Sequence, residues 1–256
     1  MRGCLSQQRR SLPIMPEPDP SFTVATWNMH KGIGADRRRD LMRTVAVIAE
    51  MQPDILALQE ADLRFGSRAG LLDLDHLHHR TGLVPVRVET PGPSHGWHGN
   101  LILVRDGQVT GTETIRLPGL EPRGALVTDL DIGQASLRVV AAHFGLLRQS
   151  RLRQAHALLE HLSERDARPT LLMGDLNEWR GGPASPIDLL MRHFQPAPPV
   201  RSFPARFPLL PLDRLLVGPQ GRLSELQAHD TPLSRRASDH LPLKARLTLP
   251  GGNGRP

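Results

Sequence analysis

Five short apolar segments of this 256-residue chain each finish on a carboxylate, an amide or an imidazole, where a strand would leave its sheet. They are WN (Trp27, Asn28), QE (Gln59, Glu60), AHF (His143), GDLN (Asp175, Asn177) and SDH (Asp239, His240), with PLDR (Asp213) as a sixth. Such a chain is constrained to a fold whose strand ends meet, because sites in α/β proteins are assembled there from residues distant in sequence. Taken singly, each segment has an ordinary reading: a turn-forming Asn, a helix-capping GDLN turn, a surface Glu or His. Their recurrence is what points to a site.

The surrounding pattern is mixed α/β. FTVATWNM reads as a strand from Phe22, and DLMRTVAVIAEM repeats its apolar residues at helical spacing until Pro53 stops it. DILALQE reads as a buried strand, closing a β-α-β unit. A histidine-rich helix (LLDLDHLHHRTG) leads into the strand candidates VPVRVE, NLILVR, QVTGTETI, GALVTDLDI and SLRVVAAHF. A helix over 149–165, the strand PTLLMGDLN, and the strands PLDRLLV, GRLSELQAH and DHLPLKARLTL complete the pattern. So many successive strands between Val84 and Phe144 do not suit a doubly wound parallel sheet; they suit two packed mixed sheets with helices outside. Residues 1–21, with Pro13, Pro16, Pro18 and Pro20, read as a tail, 22–249 as one domain and 250–256 as a second tail. FQPAPPVRSFPARFPLLP reads as an irregular loop within the domain rather than a linker.

Composition narrows the chemistry. With 39% hydrophobic and 23% charged residues the chain is globular, and no stretch approaches the roughly 20 apolar residues of a membrane span. No signal-peptide core is legible, so the expectation is a cytoplasmic monomer. Cys4 is the only cysteine, so any metal must be held by oxygen or histidine. The net charge of +6 fits an anionic substrate and equally an arginine-rich coding bias, since only Lys31 and Lys244 are lysines. Tyrosine is absent and aromatic residues make up 4%, which argues against a base-stacking platform.

In order and spacing, these segments resemble the endonuclease/exonuclease/phosphatase superfamily, and NMHKGIG, GNLILVR, EPRGAL, HFGLLRQSRLRQ, FPARFPLLPLDR and SDHLPL resemble a small bacterial branch of it. The similarity runs from Thr23 to Leu249. It implies a four-layered α/β sandwich of two packed mixed β-sheets flanked by helices, with one active site at the open edge between the sheets. The implied chemistry is metal-assisted attack on phosphorus. Glu60 matches the principal metal ligand, with Asn28 and Asp239 as further oxygen donors, a set that favours Mg2+ or Mn2+ over zinc. The resemblance gives Asp175 the task of orienting and deprotonating the attacking water, with Asn177 donating to water or phosphate. His240, paired with Asp213, would face the phosphate as a charged imidazolium or act as a general base. His143 falls at a position that contacts the phosphate or leaving group, and Arg123 is a second phosphate contact.

Substrate contacts are less determined. His30 and Lys31 either bind a phosphate or serve as turn residues. Trp97, His98, Gly99 and Asn100 either line a substrate cleft or form a structural turn. His76, His78 and His79 read as a solvated helix face rather than a metal cluster. His30 and His143 stand where apurinic endonucleases carry Asp and Tyr, which disfavours abasic-site repair, and no extra apolar hairpin like those of lipid-cleaving members is legible. The expected function is a metal-dependent phosphodiesterase, first an endonuclease on DNA because of the charge. The alternatives are hydrolysis of phospholipid headgroups or small phosphoesters, or a catalytically dead binding module, which the intact residue set disfavours.

Overall fold

The computed structural model describes residues 19–63, 66–90 and 92–250. Most of the expected tails, together with Cys4, lies outside the described residues, but Ser21, expected in the tail, pairs with Thr248, and the carbonyl of Pro20 accepts from the amide of Leu249. The domain therefore begins slightly earlier than composition suggests, because the last strand supplies a partner.

The first β-α-β unit forms as expected. Strand β1 (Ser21–Asn28) lies parallel to β2 (Ile55–Gln59), joined through helix α1 (Leu41–Met51). Asp40 caps α1 by accepting from the amide of Arg43 at 2.9 Å, and Gln52, in left-handed conformation before Pro53, ends it. Helix α2 (Leu74–Thr81) is capped by Asp73 and closed by Gly82. Of the expected strand VPVRVE only β3 (Val84–Pro85) forms, at the edge of the sheet, where a residue without an amide proton is tolerated. It pairs with β4 (Leu101–Val104), giving a first sheet completed by β10 (Arg222–Ala228) and β11 (Leu243–Thr248) in the order β10-β11-β1-β2-β4-β3.

The second sheet runs β5-β6-β7-β8-β9, from β5 (Gln108–Leu117), β6 (Arg123–Ile132), β7 (Ala135–His143), β8 (Thr170–Asp175) and β9 (Asp213–Val217). Helix α3 (Arg148–Ser163) is the crossover that makes β7 and β8 parallel. Two short helices, α4 (Pro186–Leu190) and α5 (Ser234–Ala237), were not legible, being too brief to show a period.

Strand alternation builds the layers. Val24, Ile55, Ala57 and Ile102 of the first sheet face Leu137, Val139, Ala141, Leu171, Met173 and Leu215 of the second across a continuous apolar core. Their neighbours Ala25, Trp27, Leu56 and Leu58 turn outward under α1 and α2, and Val140, Ala142, Leu172 and Leu216 under α3 and α4. Helices, sheet, sheet and helices make the four-layered sandwich that was expected.

One close approach ties this packing to function. Gly174 has φ of 150°, and a Cβ there would sit 1.8 Å from the carbonyl oxygen of Ala142, its partner on β7. Gly174→Ala should therefore lower unfolding stability by about 2 kcal/mol or more. Denaturant melts test this; an unchanged midpoint and slope would contradict it.

Candidate active site

The alternation that fills the inter-sheet core also aims the polar strand ends. Asn28 is in phase with Val24, Asp175 with Leu171 and Met173, His143 with Val139 and Ala141, and Asp213 with Leu215 and Val217. Each run of inward apolar side chains thus ends on a polar one at the same margin of the sandwich. The strand register then lines them up. His143 pairs with Asp175 and Asp175 with Asp213 across three adjacent strands, while Asn28 pairs with Gln59 on the facing sheet. Neighbouring strands are about 4.8 Å apart, so three functional side chains stand side by side with no loop needed to gather them.

Two carboxylates directly opposite on neighbouring strands repel each other. His240, in the loop before β11, resolves this by coming between the sheets: its Nδ1 lies 2.9 Å from Asp213 Oδ2 and its Nε2 3.8 Å from Asp175 Oδ2. Burial opposes a charged imidazole, but the adjacent Asp213 outweighs it and raises the His240 pKa to about 10. Burial pushes Asp175 up to about 6, against the pull of His240. His240 is itself held by three contacts. The Trp27 indole donates to its carbonyl at 2.9 Å, the Ser238 hydroxyl accepts from its amide at 3.2 Å, and the Phe203 ring lies 4.8 Å from its own.

Asp175 is supported on every side. Asn28 Nδ2 donates to its Oδ2 at 3.0 Å, the Asn177 amide donates to its Oδ1 at 2.9 Å, and His143 Nε2 lies 3.5 Å from Oδ2. The Asn177 side chain donates to the carbonyl of Phe144. Arg123 Nη1 lies within 3.0 Å of both His143 ring nitrogens and its Nη2 donates to Glu121 at 2.9 Å. Across the cleft the Lys31 ammonium pairs with Glu60, and His30 Nδ1 lies 3.5 Å from Asp239 Oδ1. Burial would raise Glu60, but Lys31 outweighs it and holds the carboxyl below its usual range. Lys31, Glu60, Asp62, Arg68, His98, Arg123 and His143 line one pocket. Four of the expected site residues, His30, Lys31, Glu60 and Asn177, adopt positive φ, a costly conformation that sharp turns at a site impose.

Of the expected site residues, Lys31, Glu60, Arg123 and His143 line this pocket, and Asp175, Asp213 and His240 are buried beside it. Asn100 is fully buried, and its amide donates to the carbonyls of Trp97 and Gly124, so the structure gives it the turn role rather than substrate contact. His76, His78 and His79 lie on α2 and enter no group of potential metal ligands among the described residues. Conversely, three supporting residues were missed. Ser202 donates its hydroxyl to Asp213, Ser238 donates to the carbonyl of Asn28 at 2.8 Å, and Glu121 holds Arg123. Ser238 and Glu121 fall inside the segments SDHLPL and EPRGAL and could have been found there. Ser202 lies eleven residues before Asp213 with no local signal.

Glu60, Asn28 and Asp239 offer only oxygen donors, and Glu60 already attracts a cation in Lys31. That chemistry fits a hard divalent ion. Asp175, Asp213 and His240 also bring one ligand atom each within 4.8 Å of one another. A metal on His240 would have to displace the Nε2 proton that Asp213 helps the ring to hold, so we read this trio as proton-handling.

Comparison with known proteins gives the family. The sequence profile of the endonuclease/exonuclease/phosphatase family matches residues 25–240. The chain belongs to that family. It is 29% identical to the uncharacterized protein YbhP of Escherichia coli over 265 residues, covering 90% of this chain and 97% of YbhP. The fold is shared with a mannosyl-6-phosphatase of Bacteroides thetaiotaomicron, at a TM-score of 0.70, 17% identity and coverage of 89% and 99% of the two chains. It is also shared with D. rerio TDP2 complexed with a single-strand DNA product, at a TM-score of 0.65, 14% identity and coverage of 90% and 100%. Family members hydrolyse phosphoesters, and so this site is read as an active site.

If Asp213 is what keeps His240 charged, Asp213→Asn should release its proton. Imidazole nitrogen shifts should report a cationic His240 at about pH 8 in the natural protein and a neutral one in the variant. An imidazolium persisting in Asp213→Asn would refute the pairing.

Proposed function

We propose that the chain is a divalent-metal-dependent phosphodiesterase. The observation that supports this best is the alignment of His143, Asp175 and Asp213 opposite the oxygen donors Asn28, Glu60 and Asp239. Hydrolysis adds one water oxygen to phosphorus and breaks one ester P–O bond. Asp175 accepts the water proton, for which a buried carboxyl raised to about 6 is a better base than an ordinary one. His240, charged and fixed by Asp213, presents its Nε2 proton to the oxygens that gain charge as the phosphorus centre expands. His143 and Arg123 lie beside Asp175 and address the phosphoryl or departing oxygen, which leaves as an alkoxide and takes a proton from solvent to become the alcohol, while Asp175 returns its proton to solvent. Glu60, with Asn28 and Asp239, would hold the Mg2+ or Mn2+, which supplies positive charge against the phosphoryl oxygens.

DNA as the substrate rests on the net charge of +6. Much of the arginine behind that figure is engaged in ion pairs dispersed over the fold, among them Arg43 with Asp36, Arg105 with Asp54, Arg138 with Asp129 and Arg235 with Asp230. Charge therefore supports an anionic diester more firmly than it supports a nucleic-acid track. DNA and a lipid headgroup are the two natural substrates to compare.

Hydrolysis of bis(p-nitrophenyl) phosphate should require added Mg2+ or Mn2+ and stop in excess chelator. Glu60→Gln should raise the metal concentration for half-activity at least about tenfold. Full turnover after chelation would overturn the metal assignment, and faster cleavage of p-nitrophenyl phosphate would make the enzyme a phosphomonoesterase instead.

The paired residues give a second test. His240→Ala and Asp213→Asn should each slow single turnover by about 100-fold or more, and the double variant should be little slower than His240→Ala alone. An orienting carboxylate has nothing to act on once the imidazole is gone. Fully additive losses would show that the two act independently.

A further inference from the structure

Single exposed apolar side chains are ordinary on a protein surface, but here they are not scattered. Nine large hydrophobic residues are exposed among the described residues, and six of them, Leu120, Leu146, Leu147, Trp179, Phe207 and Leu209, lie in loops that enter or leave the site, at 43% to 82% exposure. Leu120 precedes Arg123 by three positions, Leu146 follows His143 by three, Trp179 follows Asn177 by two, and Leu209 precedes Asp213 by four. All four loops leave the second sheet at the margin that carries the site. They are also joined laterally. The Leu146 amide donates to Glu121 at 2.7 Å, Arg151 donates to the Leu146 carbonyl and lies 5.7 Å from the Trp179 ring centre, and Arg214 donates to the carbonyls of Glu178 and Pro211. The Ala205 amide donates to the Asp239 carbonyl at 2.7 Å, which brings the Phe207 loop against the cation side of the cleft.

Cationic groups accompany the apolar ones. Arg180 lies 5.6 Å from the ring centre of Trp179 and Arg206 lies 5.8 Å from that of Phe207. With Arg148 they are exposed and stand in no ion pair among the described residues. Aromatic rings and leucines flanked by arginines without an acidic partner among the described residues suit the boundary between lipid headgroups and acyl chains, where the ring enters the apolar layer and the guanidinium meets phosphate. A nucleic-acid groove would call for the arginines without the leucines. We propose that this margin docks on an anionic phospholipid surface, so that the diester reaching the pocket is that of a lipid headgroup. Every anchor but Phe207, which precedes Asp213 by six positions, is only two to four residues along the chain from a site residue, so a docked enzyme holds its site at headgroup depth. Only the choice of cleaved bond rests on the phosphodiesterase reading; docking stands independently of it.

The test measures binding apart from turnover. The natural protein and an Asp175→Asn variant, both without metal, are sedimented with vesicles of phosphatidylglycerol and phosphatidylcholine in equal parts, and with phosphatidylcholine alone. Both proteins should pellet with the anionic vesicles. The triple variant Leu146→Ser, Phe207→Ser, Leu209→Ser should lose at least about tenfold in affinity while hydrolysing bis(p-nitrophenyl) phosphate at the natural rate. Arg180→Ala with Arg206→Ala should weaken binding to anionic vesicles only. Three results would overturn the proposal: vesicle binding that is absent or indifferent to the triple substitution, plasmid DNA bound more tightly than vesicles through the same arginines, or a dimer that the triple variant converts to monomer without any change in lipid binding. Loss of hydrolysis with intact vesicle binding would instead remove the phosphodiesterase reading and leave the docking surface in place.

Discussion

Two buried carboxylates stand opposite each other on adjacent strands, and nearly everything else in the site follows from how they are kept there. Asp175 and Asp213 are paired in register, so the sheet itself forces them together. The imidazolium of His240 makes the pairing tolerable, and it arrives from the other sheet. The same ring therefore clasps the two halves of the sandwich and supplies a charge to the chemistry. Removing it would leave two buried like charges facing each other without the cation between them, a costly arrangement in a protein interior.

The strand ends and their polar residues were legible because they depend on local patterns: alternation, apolar runs, and the residues at which the runs stop. The β-α-β start, α2, α3 and the strands around Asp175 and Asp213 all form close to where the pattern places them. Distances between segments were not legible. Nothing near Asp213 in the chain announces that Ser202 donates to it, and nothing near Asn100 shows that its amide is consumed by Trp97 and Gly124. The apolar margin escaped for the same reason. A search for one apolar hairpin cannot find leucines and aromatics divided among four loops that only the sheet order brings side by side.

The solved relatives named for different substrates share the fold at low identity, and identity at that level speaks for architecture alone. The exposed apolar side chains near the site of this chain sit in its loops. The proline-rich stretch before Asp213 is one of them: it carries Phe207 and Leu209 outward and Ser202 inward, so a segment resembling a linker in composition contributes to both the rim and the core of the site.

Ownership of the site is divided between the sheets. Asn28, Glu60 and Asp239, which suit a cation, belong to the first sheet and its loops, whereas His143, Asp175 and Asp213 belong to the second. The exposed anchors hang almost entirely from the second. The loops of the second sheet can thus vary in length or polarity without touching Asn28, Glu60 or Asp239, the residues we propose would hold the cation. On the proposed function, a fold divided in this way would let substrate preference change through one sheet while the residues that would hold the cation stay in the other.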